Sequence, residues 1–251
     1  MQSIMKVALC LHGYFNSLSD STSKGDDGFL HLKKHVLSKV DTDVFIHSWD
    51  LDNRDRIIEL YKDHIVDYTF EEQLDFSTEI TDNNLHLLQT PQGYVSPEII
   101  FSHLYSVQKS FEFDQLKNND YDIVIKSRFD VGRINRGSTD PGTGAEPVQC
   151  ITFDPSLDMN RFYMAYWKYL DSEGPADMWF YSNQKNMLEF ERIYTMIKED
   201  LRVDPTNLTS EFSSWAGAED GGIFNTIKAY KWFLLKSGLW DKKQLLKTTW
   251  E

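Results

Sequence analysis

Two short runs of strand length, each followed by a segment of helical periodicity, restrict this chain more than any other feature. KVALCLHGYF (6–15) stops at His12-Gly13 and reads as a buried first strand, and DVFIHSWD (43–50) reads as a second strand ending in polar and aromatic residues. FLHLKKHVLSKV (29–40) places Phe29, Leu32, Val36 and Leu37 at helical spacing, and NRDRIIELYKDH (53–64) forms a second helix. A further buried strand, 121–126, follows a helix expected from about Pro97 to Asn118. Strand, helix, strand, helix predicts an α/β fold with a mostly parallel central sheet flanked by helices.

The rest of the chain punctuates that pattern. Residues 73–97 are polar and irregular, and 136–147 carry the Gly, Pro, Ser and Thr density of a long loop with the size of a lid. CITFD (150–154) reads as a short strand. Residues 176–201 read as a strand running into a helix with Asn183 as its N-cap, and 218–238 as an acidic cap before another helix. The tail DKKQLLKTTWE is short and charged. No repeat, heptad pattern or interdomain linker interrupts the 251 residues, so one domain over 1–251 is expected.

Composition limits the partners. The net charge of −13 leaves no basic stripe for nucleic acid or an anionic membrane, although a few local cations can still hold a small anion. Two cysteines, Cys10 and Cys150, make neither a disulfide framework nor a zinc site. The first apolar run is short and interrupted by Lys6, which argues against a leader or a membrane span and leads us to expect a cytoplasmic protein. The sequon at Asn207-Leu-Thr209 is then a chance occurrence.

Common catalytic motifs are missing. His12-Gly13 after the first strand has the look of an oxyanion loop, but no Gly-x-Ser-x-Gly nucleophile elbow accompanies it. There is no phosphate loop, and Gly142-x-Gly144 lies in a polar loop. His31 and His35 lack a matching acidic pattern for a metal. What remains are polar groups at the expected C-terminal ends of strands: Gly13 and Asn16, then His47, Trp49 and Asp50, then Lys126 to Asp130. Ligands of open α/β sheets bind there, and these groups converge if the strands run parallel. Asp130 could hold Mg²⁺ or Mn²⁺, Lys126 and Arg128 could neutralise a phosphate, or Arg128 could pair with Asp130 across one strand spacing.

KVALCLHG (6–13), DVFIHSWD (43–50), YSVQKSFE (105–112) and YDIVIKSRFDV (121–131), in this order, resemble the motifs of GT-A-type glycosyltransferase-like proteins of bacteria, phages and large viruses. ADMWFYSNQKNM (176–187) is similar to a later segment of that family, and the resemblance covers about three quarters of the chain. It implies a nucleotide-diphospho-sugar transferase fold, with a nucleotide-binding half over about 1–135 and an acceptor side over about 136–251. It further implies a nucleotide-sugar donor, a glycan acceptor such as a surface polysaccharide, and Asp130 at the position of an Asp-x-Asp metal motif. The chain departs from that motif, since Arg128 stands two residues before Asp130, and from the family's Gly-x-x-Arg after the first strand, where it has Gly13-Tyr14-Phe15-Asn16. On this resemblance Gly13, His47, Trp49, Lys109, Lys126, Arg128 and Asp130 line the donor site, with Asp130 on a Mn²⁺ or Mg²⁺ ion. Lys109, Lys126 and Arg128 stabilise the leaving diphosphate, Asp177 or Glu219 serves as base, and Tyr14, Trp49 or Trp179 stacks on a base or sugar. A module of the same fold that binds a nucleotide or glycan without turnover is the alternative.

Overall fold

A computed structural model describes residues 5–16, 24–83, 96–132, 150–166, 170–171, 174–200 and 225–246. Its centre is one seven-stranded sheet in the order β3-β2-β1-β4-β6-β5-β7. The strands are β1 (Lys6–Gly13), β2 (Asp41–Ser48), β3 (Ile65–Phe70), β4 (Ile123–Arg128), β5 (Phe162–Ala165), β6 (Trp179–Ser182) and β7 (Lys243–Leu246). β1 pairs in parallel with both β2 and β4, and β2 pairs in parallel with β3. β6 runs antiparallel to β4 and to β5, while β5 and β7 are parallel. Six strands therefore share one direction and β6 alone is reversed, the mostly parallel α/β architecture expected from the sequence.

The apolar runs are explained by burial on both sides. In β1, Ala8 and Cys10 face one hydrophobic cluster while Val7, Leu9 and Leu11 face another. The first face is covered by α4 (Pro97–Lys109), α5 (Asp114–Asn118), α6 (Gln184–Met187), α7 (Ile193–Asp200) and α8 (Thr226–Lys236). The second is covered by α1 (Lys24–Leu32), which continues as a π-helical turn over Lys33–Leu37, and by α2 (Arg54–Tyr61). The small α3 (Ser77–Asp82) leans on α4.

Caps follow the local sequence. Ser96 precedes Pro97 and accepts the Ile99 N–H, Asn183 accepts the Asn186 N–H at 2.9 Å as the sequence predicts, and Asn225 accepts the Lys228 N–H at 2.8 Å. The expected acidic cap around 218–220 and the lid at 136–147 lie outside the described residues.

Several expectations are corrected. The helix over 97–118 is two helices, broken at residues 110–113. CITFD makes no strand; Cys150 and Thr152 instead accept side-chain hydrogen bonds from Trp179 Nε1 (3.0 Å) and the Tyr181 hydroxyl (3.2 Å). The helix expected to begin at Phe29 begins at Lys24. β3, β5, β7 and α3 were not legible in the sequence.

Candidate active site at the end of the fourth strand

Register brings the expected polar groups to one edge of the sheet. His12 lies opposite His47 on β2 and opposite Arg128 on β4, all at the C-terminal ends of parallel strands. Side chains two apart share a face, so His12, His47, Lys126 and Arg128 point to the α4/α8 side along with Ala8, Cys10, Phe45 and Val124.

Arg128 is the hub. Its Nε and Nη2 donate to Asp130 Oδ1 and Oδ2 at 2.8 and 2.9 Å, a bidentate fork, and its Nη1 donates to Asp177 Oδ2 at 3.2 Å. The three side chains keep 33%, 24% and 19% of their surface exposed, so a ligand can reach them. Burial opposes the Arg128 charge, yet Asp130 and then Asp177 outweigh it and raise the guanidinium pKa further. Burial likewise opposes the Asp177 charge, but Arg128, His103 and Lys126 outweigh it and hold this carboxyl at about 2.

Lys126 lies beneath this trio with no exposed surface. Its ammonium donates to the main-chain oxygen of Asp177 and sits 5.1 Å from the Phe180 ring centre and 4.9 Å from that of Tyr230. Burial pulls its pKa down from 10.5 to about 7, against the pull of Asp177. His103 on α4 closes the cluster: its Nε2 is 2.9 Å from the Tyr230 hydroxyl and 3.7 Å from Asp177 Oδ2. Burial lowers the His103 pKa to about 3. His12 stands edge-on to His103 with ring centres 4.9 Å apart, and neither of its buried ring nitrogens has a hydrogen-bond partner. Burial, then the charge of Lys126, takes the His12 pKa well below 6.5.

A second polar group braces the ends of β1 and β2. His47 Nδ1 lies 2.8 Å from Ser106 Oγ and its Nε2 lies 2.9 Å from Glu71 Oε1. Ser106 Oγ accepts the Gly13 N–H at 2.9 Å, and the Ser48 hydroxyl donates to the Gly13 oxygen at 2.7 Å. Serine, histidine and glutamate form a chain here, but Ser106 has no exposed surface and its oxygen is taken by the main chain. The chain therefore fastens α4 to the strands; a nucleophile would have to meet a substrate carbon.

The other sequence candidates are placed as follows. Trp49 is buried, stacks on Tyr105 at 5.4 Å and donates to the Ser102 oxygen at 3.4 Å, so it is core. Trp179 is fully buried on the opposite face. Lys109 pairs with Glu112 at 2.6 Å and sits 5.5 Å over Tyr105, on the His47–Glu71 side and apart from Arg128. Tyr14 donates to Gln73 at 2.8 Å, and the Asn16 N–H donates to Asp50 at 3.1 Å. Glu219 lies outside the described residues. His12, His103 and Tyr230 were missed by the sequence reading. The signal for His12 was its parity with His47 at the end of a parallel strand; His103 and Tyr230 come from helices whose packing only the fold reveals.

The divalent metal expected on Asp130 finds no ready cradle. Both Asp130 oxygens accept from Arg128, and among the described residues no group of three His, Cys, Asp or Glu side chains could hold a metal ion. Among the described residues, too, no helix is long and apolar enough to cross a membrane.

Neither family profiles nor curated proteins match the chain. Among solved structures it aligns with the apo crystal structure of mouse xyloside xylosyltransferase 1, over 97% of this chain and 84% of that one, with a TM-score of 0.40 and 10% identity.

Proposed function

We propose that the chain is a glycosyltransferase that moves a sugar from a nucleotide-sugar donor to a glycan acceptor. One observation carries the reading: two cations, Arg128 and Lys126, stand at the C-terminal end of a central parallel strand, with Arg128 partly open to solvent. In open α/β sheets this is where nucleotides bind. The family motifs in β1, β2, α4 and β4 supply the sugar-transfer chemistry.

In glycosyl transfer the departing nucleoside diphosphate gathers negative charge, and a pre-placed cation lowers that barrier. Arg128 has the planar fork suited to a phosphoryl group. Lys126 fixes the Asp177 peptide and, while protonated, adds a second positive field from below. Asp177 is a poor proton acceptor, because a base works best with a pKa near the working pH and its carboxyl is held at about 2. Its part is to hold Arg128, which leaves Glu219 as the candidate base for the acceptor hydroxyl.

The alternative, a binding module without turnover, is favoured by the same tie: both described carboxylates of the cluster are engaged with Arg128 and neither is free to act as a base. A thermal-shift screen with UDP and GDP, followed by donor turnover, separates the readings. We expect one diphosphate to raise Tm, and Arg128→Gln to lower kcat/KM for donor turnover by about a hundredfold or more. A shift without turnover supports the module; no shift with any nucleoside diphosphate refutes both.

A further inference from the structure

We propose that Asp130 is an internal competitor for the anion this site binds: its carboxylate fills the side-on face of the Arg128 fork, and a phosphoryl group of the ligand replaces it there. The inference rests on the donor-site reading of Arg128 above and adds to it the reason why the site is closed at rest.

The geometry leads there in three steps. A guanidinium has five N–H donors, and Asp130 takes the Nε and Nη2 pair in parallel at 2.8 and 2.9 Å, the arrangement a phosphoryl group would also adopt. Charge comes next. Arg128 and Lys126 stand against Asp130 and Asp177, so an incoming diphosphate meets a cluster without net positive charge on a chain of net charge −13. Moving Asp130 off the fork uncovers one positive charge where the ligand arrives.

The third step is the difference between the two carboxylates. Asp177 is pinned by Arg128, by the nearby His103 and, through its main-chain oxygen, by Lys126. Among the described residues, Asp130 has no hydrogen-bond or ion-pair partner other than Arg128. It lies in the turn just after β4, between the fully buried Phe129 and Val131. Those two anchors hold the backbone while the Asp130 side chain, already 24% exposed, rotates into water, so the displaced carboxylate is not stranded in a dry interior.

Pyrophosphate binding measured by calorimetry in excess EDTA tests this on the full chain. Asp130→Asn keeps the size of the side chain and removes its charge, so it is expected to bind pyrophosphate about five- to tenfold more tightly than the wild type. Arg128→Gln is expected to abolish binding in either background. If the wild type binds UDP or GDP but Asp130→Asn binds pyrophosphate no more tightly, the competitor role is wrong and the donor-site reading stands. If Arg128→Gln binds as the wild type does, or if the wild type and Asp130→Asn both bind nothing, the donor-site reading falls as well.

Asp130→Ser is the second variant should Asp130→Asn fail to fold, with the same gain expected. Should both fail, the Arg128 Nε–H resonance of the wild type, assigned by its loss in Arg128→Lys, decides. It must shift on titration with pyrophosphate, and an unmoved resonance at saturation overturns the exchange.

Discussion

Lys126 is the residue whose surroundings are most at odds with its charge. It has no exposed surface, and its pKa in the folded chain lies at about 7 against 10.5 when free. Between those values the unfolded chain holds a proton that the folded chain has given up, so stability must rise with pH across that window. From pH 7 to about 7.5, before the unfolded thiols with their pKa of about 8.5 ionise appreciably, the gain is at most about 1.4 kcal/mol per pH unit. Chemical denaturation of the wild type should show that rise, and Lys126→Met should rise less steeply, whatever its absolute stability. A flat wild-type profile would show that the ammonium stays charged. At this scale the sequence named Lys126, Arg128, Asp130 and Asp177 and offered the Arg128–Asp130 pair as one of three uses for them. It did not disclose His12, His103 or Tyr230, because a buried side chain on a strand or helix looks like any other until the elements around it are docked.

Among the elements, α1 has the tightest constraint on the site. A Cβ added at Gly28 would fall 1.7 Å from the Phe129 main-chain oxygen and 3.3 Å from that of Val131, the two residues that flank Asp130. Gly28→Ala must therefore push α1 away from the turn, at a cost of about 1–3 kcal/mol or more. Gly13 has φ +93°, but a Cβ there meets nothing within 4 Å. Gly13→Ala should cost only the backbone strain, about 1 kcal/mol. Urea denaturation of the two variants should rank them in that order. Elements were legible where burial was complete. β1, β2, β4 and β6 are continuous apolar runs, whereas β3 and β7 are edge strands with half-exposed patterns that periodicity does not separate from loops. β5 has only four residues, all buried, too few for a period to register.

For the molecule as a whole, acid is the weakness. His12, His31, His47 and His103 are all held below the ordinary 6.5, chiefly by burial, with His31 at about 4 and His103 at about 3. Each holds a proton less tightly in the folded chain than in the unfolded one, so stability falls as pH drops through 6.5, by up to about 1.4 kcal/mol per unit for each group. Asp177 adds to the loss from about pH 3.8 down to about 2, since its folded pKa is lowered. Urea midpoints should fall steadily from pH 7 to pH 5, and His12→Leu should remove one group's share of the slope. An unchanged midpoint over that range would show that these rings are not neutral and buried in solution. The fold class was legible because alternation and burial are properties of contiguous residues. The cluster was legible only in part, because half of it is assembled from segments far apart in the chain.

The reversal of β6 has a consequence for how such a cluster comes into being. Ser127 lies opposite Trp179, and the Arg128 N–H donates to the Met178 oxygen at 3.1 Å. That register delivers Asp177 to Arg128 from 49 residues away. A slip of one residue would offer Met178 in its place and turn every β6 side chain to the wrong face of the sheet. The ion trio is thus a checksum on assembly: its three charges meet only when a strand arriving from the opposite direction has docked in the one correct frame. A nascent or misthreaded chain would be blind to its ligand however much secondary structure it had already formed.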